Sequence, residues 1–256
     1  MWNANLYNKF SNERGLPSID LATRVQNMNI PIKRILDVGC GSGLSTLPLA
    51  NRWQDAEIIG VDLSSEMLDK AKEILPNVKF YQKDCSLPLN DLGKFDLIFS
   101  NAFIQWIENK KEFIDNCFDM LTEGGVFACQ IPLFELMPAS QCLEIAKSSL
   151  PKDIQVRNTR MSTAISDVDY CNILANHSDN LSVWTTDYYH VMDSHEDIIA
   201  FMSSTALRPY QQVLDKDTYD MFIERVLVEL KKVYPKLQNG KVLFPFKRLF
   251  VIATKR

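Results

Sequence analysis

Arg34-Ile-Leu-Asp-Val-Gly-Cys-Gly-Ser-Gly-Leu-Ser45 decides the fold. Ile35, Leu36 and Val38 make an apolar strand, Gly39, Gly41 and Gly43 make a turn, and Leu44 to Trp53 reads as a helix. Strand, glycine turn and helix bring a backbone close to a nucleotide-like ligand at a helix N-terminus.

Outward from this stretch, strands and helices alternate. Residues 33–38 are the first strand, and 57–61 the second, ending at Asp62. Ser64 or Ser65 caps a helix whose apolar members Met67, Leu68, Ala71, Ile74 and Leu75 have helical spacing. Residues 78–82, 95–100 and 126–131 read as strands three to five, with a helix over 110–121 and a turn at Glu123-Gly-Gly125. This alternation predicts a parallel sheet covered on both faces.

Past Pro132 the pattern changes. Residues 167–176 read as a helix, and 181–191, rich in β-branched and aromatic residues, as a strand. Ser194 caps a helix, and Tyr219, Phe222, Ile223, Val226, Leu230 and Val233 mark a longer one. Residues 242–254 are the last strand. The expected fold is α/β: a Rossmann-like, seven-stranded, mostly parallel sheet with a helical cap inserted in the C-terminal half. The division follows as an N-terminal arm or flap over 1–27, a cofactor-binding half over 28–132, and the remainder over 133–256. The cap occupies about 133–165 and 193–238. In the arm, Pro17 and Ser18 suit the start of a helix running to Val25.

The 256 residues carry a net charge of -4, which weighs against a nucleic-acid partner. Six scattered cysteines without a C-x-x-C pair read as reduced, mostly buried thiols of a cytoplasmic protein. No apolar run reaches membrane-spanning length. The three histidines, His177, His190 and His195, lack metal-ligand spacing, so no metal is expected.

The glycine loop has rivals to exclude. A dinucleotide fingerprint places its third glycine where this chain has Leu44, and no GK[ST] follows, which removes a P-loop. Asp37, two residues before the first glycine, would repel a phosphate. It suits S-adenosylmethionine, whose methionine part carries an ammonium beside a cationic sulfonium. Asp62 stands where a carboxylate accepts both ribose hydroxyls. Asp84 can accept the adenine amine, with Leu63 and Met67 flanking the ring. The alternative for each acid is a loop cap or a solvated strand end.

Asp37-Val-Gly-Cys-Gly-Ser-Gly43, Val61-Asp62, Asp84 and Ser100-Asn101 resemble the successive motifs of class I S-adenosylmethionine-dependent methyltransferases. The likeness extends to the trans-aconitate 2-methyltransferase family. It is carried by Trp2 to Tyr7 with Phe10 and Glu13-Arg14, by Asn101 to Trp106, by Tyr188 to His195, by Leu207-Arg-Pro-Tyr210 and by Phe246 to Ala253. Over 133–165 the family's pattern is not found. The resemblance implies methyl-ester formation on a small polycarboxylic acid. It assigns the cofactor to Asp37, Gly39, Cys40, Gly41, Gly43, Asp62, Leu63, Met67, Asp84, Cys85, Asn101 and Gln105. Arg14, Arg208, Tyr210 and Arg248 would hold the acid, with Lys247 weaker. Tyr7, Trp106 and His190 would position it, and no residue is required as a base. Core packing is the alternative for the aromatic residues Tyr7, Phe10, Trp106 and Tyr188, and for His190.

Three other readings stay open. One is a different small acid. Another is a carrier-bound malonyl group, since carrier-protein methyltransferases share Asn101 to Trp106; a basic rim of Lys231, Lys232, Lys236 and Lys241 would then meet the acidic carrier. The third is a non-catalytic S-adenosylmethionine-binding module. A small carboxylic acid is the expected partner, without membrane or nucleic acid; the oligomeric state is left open, a monomer being compatible with the sequence.

Overall fold

The computed structural model describes residues 10–151 and 166–256. Trp2 to Tyr7 and part of the 133–165 stretch lie outside the described residues.

The sheet has seven strands: β1 (Arg34–Val38), β2 (Glu57–Asp62), β3 (Lys79–Gln82), β4 (Phe95–Asn101), β5 (Leu121–Pro132), β6 (Asn180–Met192) and β7 (Val242–Thr254). Their order is β3-β2-β1-β4-β5-β7-β6. β1 pairs parallel with β2 and β4, as do β2 with β3 and β4 with β5. β7 runs antiparallel to β5, from Val126 opposite Thr254 to Pro132 opposite Arg248. The central strands are apolar because helices cover both faces: Ile35, Leu36, Ile98, Phe99, Val126 and Phe127 are fully buried. β3 and β6 are the edges, and nearly all of their side chains keep some exposure to solvent.

The helices are α1 (Ser11–Gln26), α2 (Thr46–Arg52), α3 (Ser65–Ile74), α4 (Lys110–Met120), α5 (Pro138–Ser148), α6 (Asp167–Leu174), α7 (His195–Ser203), α8 (Arg208–Val213) and α9 (Lys216–Val233). The caps read from the sequence hold. Ser64 Oγ accepts from the Met67 amide at 3.3 Å and Ser194 Oγ from the Asp197 amide at 3.2 Å.

Three local readings need correction. α1 begins at Ser11, not at Pro17, and carries Pro17 within it; Phe10, Leu21, Ala22 and Val25 are buried, and that packing outweighs the backbone bond a proline removes. α2 begins at Thr46, not Leu44, because the turn continues beyond Gly43 and Ser45 and Thr46 both bond back to Asp37. Pro209 and Tyr210, which after Arg208 read as a constrained turn breaking the helix pattern, instead open a helix: Pro209 sits in the first turn of α8, where a missing N–H leaves no bond unmade.

The described chain divides into two compact units. One takes in 14–132, 166–186 and 248–256 and holds β1 to β5. The other takes in 10–13, 133–151 and 187–247. The second unit has its own core, in which α5 packs on α9 and Phe10, Phe201, Phe222, Phe244 and Phe246 are buried. Among the described residues no helix is long and apolar enough to cross a membrane.

Candidate cofactor site and comparisons with known proteins

The site forms at the carboxyl ends of β1, β2 and β4, where ligands of open α/β sheets bind. β1 delivers Asp37 with no exposed surface. Its Oδ2 accepts from Ser45 Oγ at 2.8 Å and Thr46 Oγ1 at 2.7 Å. Its Oδ1 is buried and has no hydrogen-bond partner among the described residues. Burial pushes the carboxyl up to about 6, against the pull of the two hydroxyls. A buried acceptor left open beside a glycine loop fits a cationic donor such as an ammonium.

The loop itself is shaped for close approach. Gly41 has φ +53°, and a side chain there would enter open space. Gly39 has φ +73°, and an added Cβ would lie 2.1 Å from the Phe103 ring. Gly43 lets α3 pack closely, since an added Cβ would stand 3.2 Å from that of Ala71. The Gly39 and Cys40 amides both donate to Val61 O, at 2.9 and 3.0 Å, which fastens the loop to β2.

Asp62 ends β2 half-buried. Its Oδ2 accepts from the Gly41 amide and its Oδ1 from the Ser64 amide, each at 2.9 Å. It therefore caps the loop, and each oxygen retains acceptor capacity for a hydroxyl. Beside it Leu63 is 64% exposed and Met67 is half-buried. Asp84 is exposed, and its Oδ1 accepts from both the amide and the hydroxyl of Ser86, bonds that hold its carboxyl below the usual range. Cys40 and Cys85 are buried; burial raises both thiols, Cys85 to about 12. At neutral pH both thiols are protonated, and neither is a nucleophile.

β4 supplies Asn101, and Ala102 follows it with φ +53°. A left-handed alanine is strained by roughly 1 kcal/mol or more, and such strain gathers at functional sites. The Ala102 amide donates to Gln130 O at 2.9 Å, and Gln105 Nε2 donates to Ala102 O at 2.7 Å. Among the described residues Asn101 Oδ1 and Gln105 Oε1 are buried without a hydrogen-bond partner, as is Asp37 Oδ1. Three open acceptors at one end of the sheet fit a donor-rich cationic group.

The residues expected to hold the acid fall in both units. Arg14 is half-buried on α1. Arg248 is buried on β7 and donates from Nη1 to Gln130 Oε1 at 3.3 Å. In the second unit, Arg208 is exposed at the start of α8. Tyr210 is buried and stacks on Phe222 with centroids 4.4 Å apart, which makes it a core residue. His190 is buried on β6 among aromatic rings, 5.4 Å from Phe201 and 6.3 Å from Phe246. Trp106 is 45% exposed in a short turn of 3-10 helix over Ile104–Trp106. Tyr7 lies outside the described residues. Lys247 pairs with Asp187 at 3.0 Å.

Ser45, Thr46 and Gln130 were not anticipated. Hydroxyl residues at a helix start are common enough to pass as caps. Gln130 leaves a plainer trace, a single polar residue inside the apolar run Val126 to Ile131.

A methyltransferase-domain family profile matches residues 35–125. Trans-aconitate 2-methyltransferase of Escherichia coli K12 is 35% identical over 99% of this chain and 98% of its own length. Its counterpart in Escherichia coli O9:H4 is 34% identical over the same shares. Among solved structures, the YcgJ protein of Bacillus subtilis superposes with a TM-score of 0.57 at 18% identity, over 92% of this chain and 97% of its own. Phosphoethanolamine N-methyltransferase 2 of Haemonchus contortus, solved with S-adenosyl-L-methionine, gives 0.53 at 17% identity, over 93% of this chain and 53% of its own. Those two structures establish the fold; the full-length relatives establish the family. The chain belongs to the class I S-adenosylmethionine-dependent methyltransferases, in the trans-aconitate 2-methyltransferase family.

Proposed function

We propose that the protein transfers a methyl group from S-adenosylmethionine to a carboxylate of trans-aconitate, forming a methyl ester. The observation that carries the acceptor is the full-length likeness to enzymes of that name, which extends well past the methyltransferase domain. The cofactor reading is supported by the buried open oxygen of Asp37 and the side-chain space above Gly41.

When bound, S-adenosylmethionine supplies an electrophilic methyl group on a sulfonium. Asp37, Asn101 and Gln105 would accept from its methionine ammonium. Asp62 would accept from the ribose hydroxyls, Asp84 would take the adenine amine, and Leu63 and Met67 would cover the ring. Gly39, Cys40, Gly41, Gly43 and Cys85 would form the floor of the site. Arg14, Arg208 and Arg248 would hold the acid, since a planar guanidinium matches a carboxylate in two bonds. His190 and Trp106 would orient it.

No residue is assigned as a general base. A carboxylate is already ionised and nucleophilic at neutral pH, so alignment and exclusion of water supply the catalysis. Methylation of an ionised carboxylate would require no residue of the chain to take or give a proton.

The carrier-bound alternative lacks its basic rim. Lys231 pairs with Glu196 at 3.6 Å, Lys232 with Glu229 at 2.8 Å and Lys241 with Asp193 at 3.0 Å, which neutralises most of that face. A methyl-transfer assay over a panel of di- and tricarboxylic acids, with malonyl-carrier as comparison, tests the proposal.

A further inference from the structure

We propose that Gln130 is a substrate-binding residue: its side-chain amide and Arg248 together form a donor-only corner that takes one carboxylate of the acid. This rests on the carboxyl-methylation reading above and adds a residue to it.

Gln130 lies within β5, fully buried among Val126, Phe127, Ala128, Cys129 and Ile131. Core packing has no use for an amide there, and an unsatisfied buried polar group costs about 1–3 kcal/mol. The register places it opposite Asn101 of β4 and Phe250 of β7. Arg248 stands opposite Pro132, two residues on, so Gln130 and Arg248 are diagonal neighbours on one face of the β5–β7 pair.

Their hydrogen bond fixes which way the amide points. A guanidinium has donors and no acceptor. Gln130 must therefore turn Oε1 toward Arg248 Nη1, and the 3.3 Å contact is made in that sense. This commits Nε2 to the other direction, where it is buried and has no hydrogen-bond partner among the described residues. Asn101, its register neighbour, carries an open Oδ1, yet the two amides do not satisfy each other. They face different ligands. Asn101 offers an acceptor, suited to a cation, whereas Gln130 offers a donor beside a fixed positive charge, suited to an anion. A carboxylate satisfies both the amide N–H and the guanidinium field.

The test compares Gln130→Leu and Gln130→Glu with the wild type. Leucine removes the donor and keeps an apolar side chain in an apolar strand. Glutamate keeps a partner for Arg248 and repels an anionic acceptor. KM for trans-aconitate should rise about 10- to 100-fold in Gln130→Leu, the loss expected for one bond to a charged group, and further in Gln130→Glu. S-adenosylhomocysteine affinity by calorimetry should stay within about twofold in both, which a merely structural role would not allow. A wild-type KM in Gln130→Leu with intact S-adenosylhomocysteine binding overturns this inference alone. A wild-type enzyme that methylates no carboxylic acid overturns the reading of the reaction, and this one with it. Should a variant fail to fold, wild-type protein labelled with 15N-glutamine and loaded with S-adenosylhomocysteine decides. Adding trans-aconitate should shift the fully buried side-chain amide of Gln130, and no shift at an acid concentration that saturates turnover overturns the assignment.

Discussion

Asp62 Oδ2 accepts a hydrogen bond from the Gly41 amide at 2.9 Å, so the acid that ends β2 clasps the loop that follows β1. One carboxylate thus shapes the loop and, in the proposed function, would also accept from the ribose. Asp62→Ala should weaken S-adenosylhomocysteine binding by at least about tenfold and lower the apo Tm by several degrees, because two backbone donors lose their acceptor. Asp62→Asn, which keeps one acceptor oxygen, should fall between. Unchanged affinity in Asp62→Ala by calorimetry would sink the ribose assignment.

The raised carboxyl of Asp37 gives a pH signature with opposite signs for stability and binding. Its folded pKa, about 6, exceeds the ordinary value of 3.8, so the folded state holds the proton more tightly than the unfolded one. Between those values the apoprotein loses stability from this group as pH rises, by about 3 kcal/mol at most. Binding of a cationic ligand behaves oppositely, because only the ionised carboxylate attracts it. S-adenosylhomocysteine affinity should fall as pH drops through about 6, and Asp37→Asn should flatten that profile. A wild-type affinity flat from pH 5 to 8 contradicts the role.

The glycines separate loop geometry from ligand space. Gly41→Ala should fold with a Tm only a few degrees lower, the strain of a left-handed alanine being about 1–2 kcal/mol. Its methyl group enters open space, so cofactor affinity should suffer more than stability. Gly39→Ala drives a methyl into the Phe103 ring and should destabilise the fold more than Gly41→Ala does. Thermal melts beside calorimetry give both orders, and equal effects of the two substitutions on Tm and affinity would contradict this division.

Arg208 and Tyr210 are two residues apart in opposite surroundings, one exposed and one buried. Arg208 is exposed and makes no ion pair among the described residues, so Arg208→Ala should leave Tm nearly unchanged and raise KM for the acid at least about tenfold, without touching the cofactor's. Tyr210 is stacked on Phe222 in a packed core, so Tyr210→Ala should cost about 3 kcal/mol of stability. Steady-state kinetics on both substrates, with melts, separates them. A wild-type acid KM in Arg208→Ala removes it from the clamp.

The sheet was legible because its strands are short apolar runs closed by Asp62, Asn101 and the glycine turn, signals set by neighbours in sequence. The caps at Ser64 and Ser194 were legible for the same reason. Pro17 and Pro209 misled because a proline reads locally as a helix start or a helix break, whereas Pro17 lies inside α1 and Pro209 in the first turn of α8, where burial of Leu21 and Tyr210 holds each helix in place. The acids Asp37, Asp62 and Asp84 were visible at strand ends, but the open oxygen of Asp37 was not, since it depends on Ser45 and Thr46 occupying the other one. Gln130 left its trace as a polar residue in an apolar run, but the direction of its amide was beyond reach. Its orientation is imposed by Arg248, 118 residues away in sequence and a diagonal neighbour in the sheet.

The central claim is the acceptor, and direct product analysis tests it. Purified protein is incubated with S-adenosylmethionine and each of a panel of di- and tricarboxylic acids, malonyl-carrier, amines and phenols, and products are read by mass spectrometry. The account predicts a trans-aconitate monomethyl ester, 14 Da heavier than the acid, formed with the highest kcat/KM of the panel. Transfer only to amines or phenols, or to malonyl-carrier with trans-aconitate untouched, would contradict it.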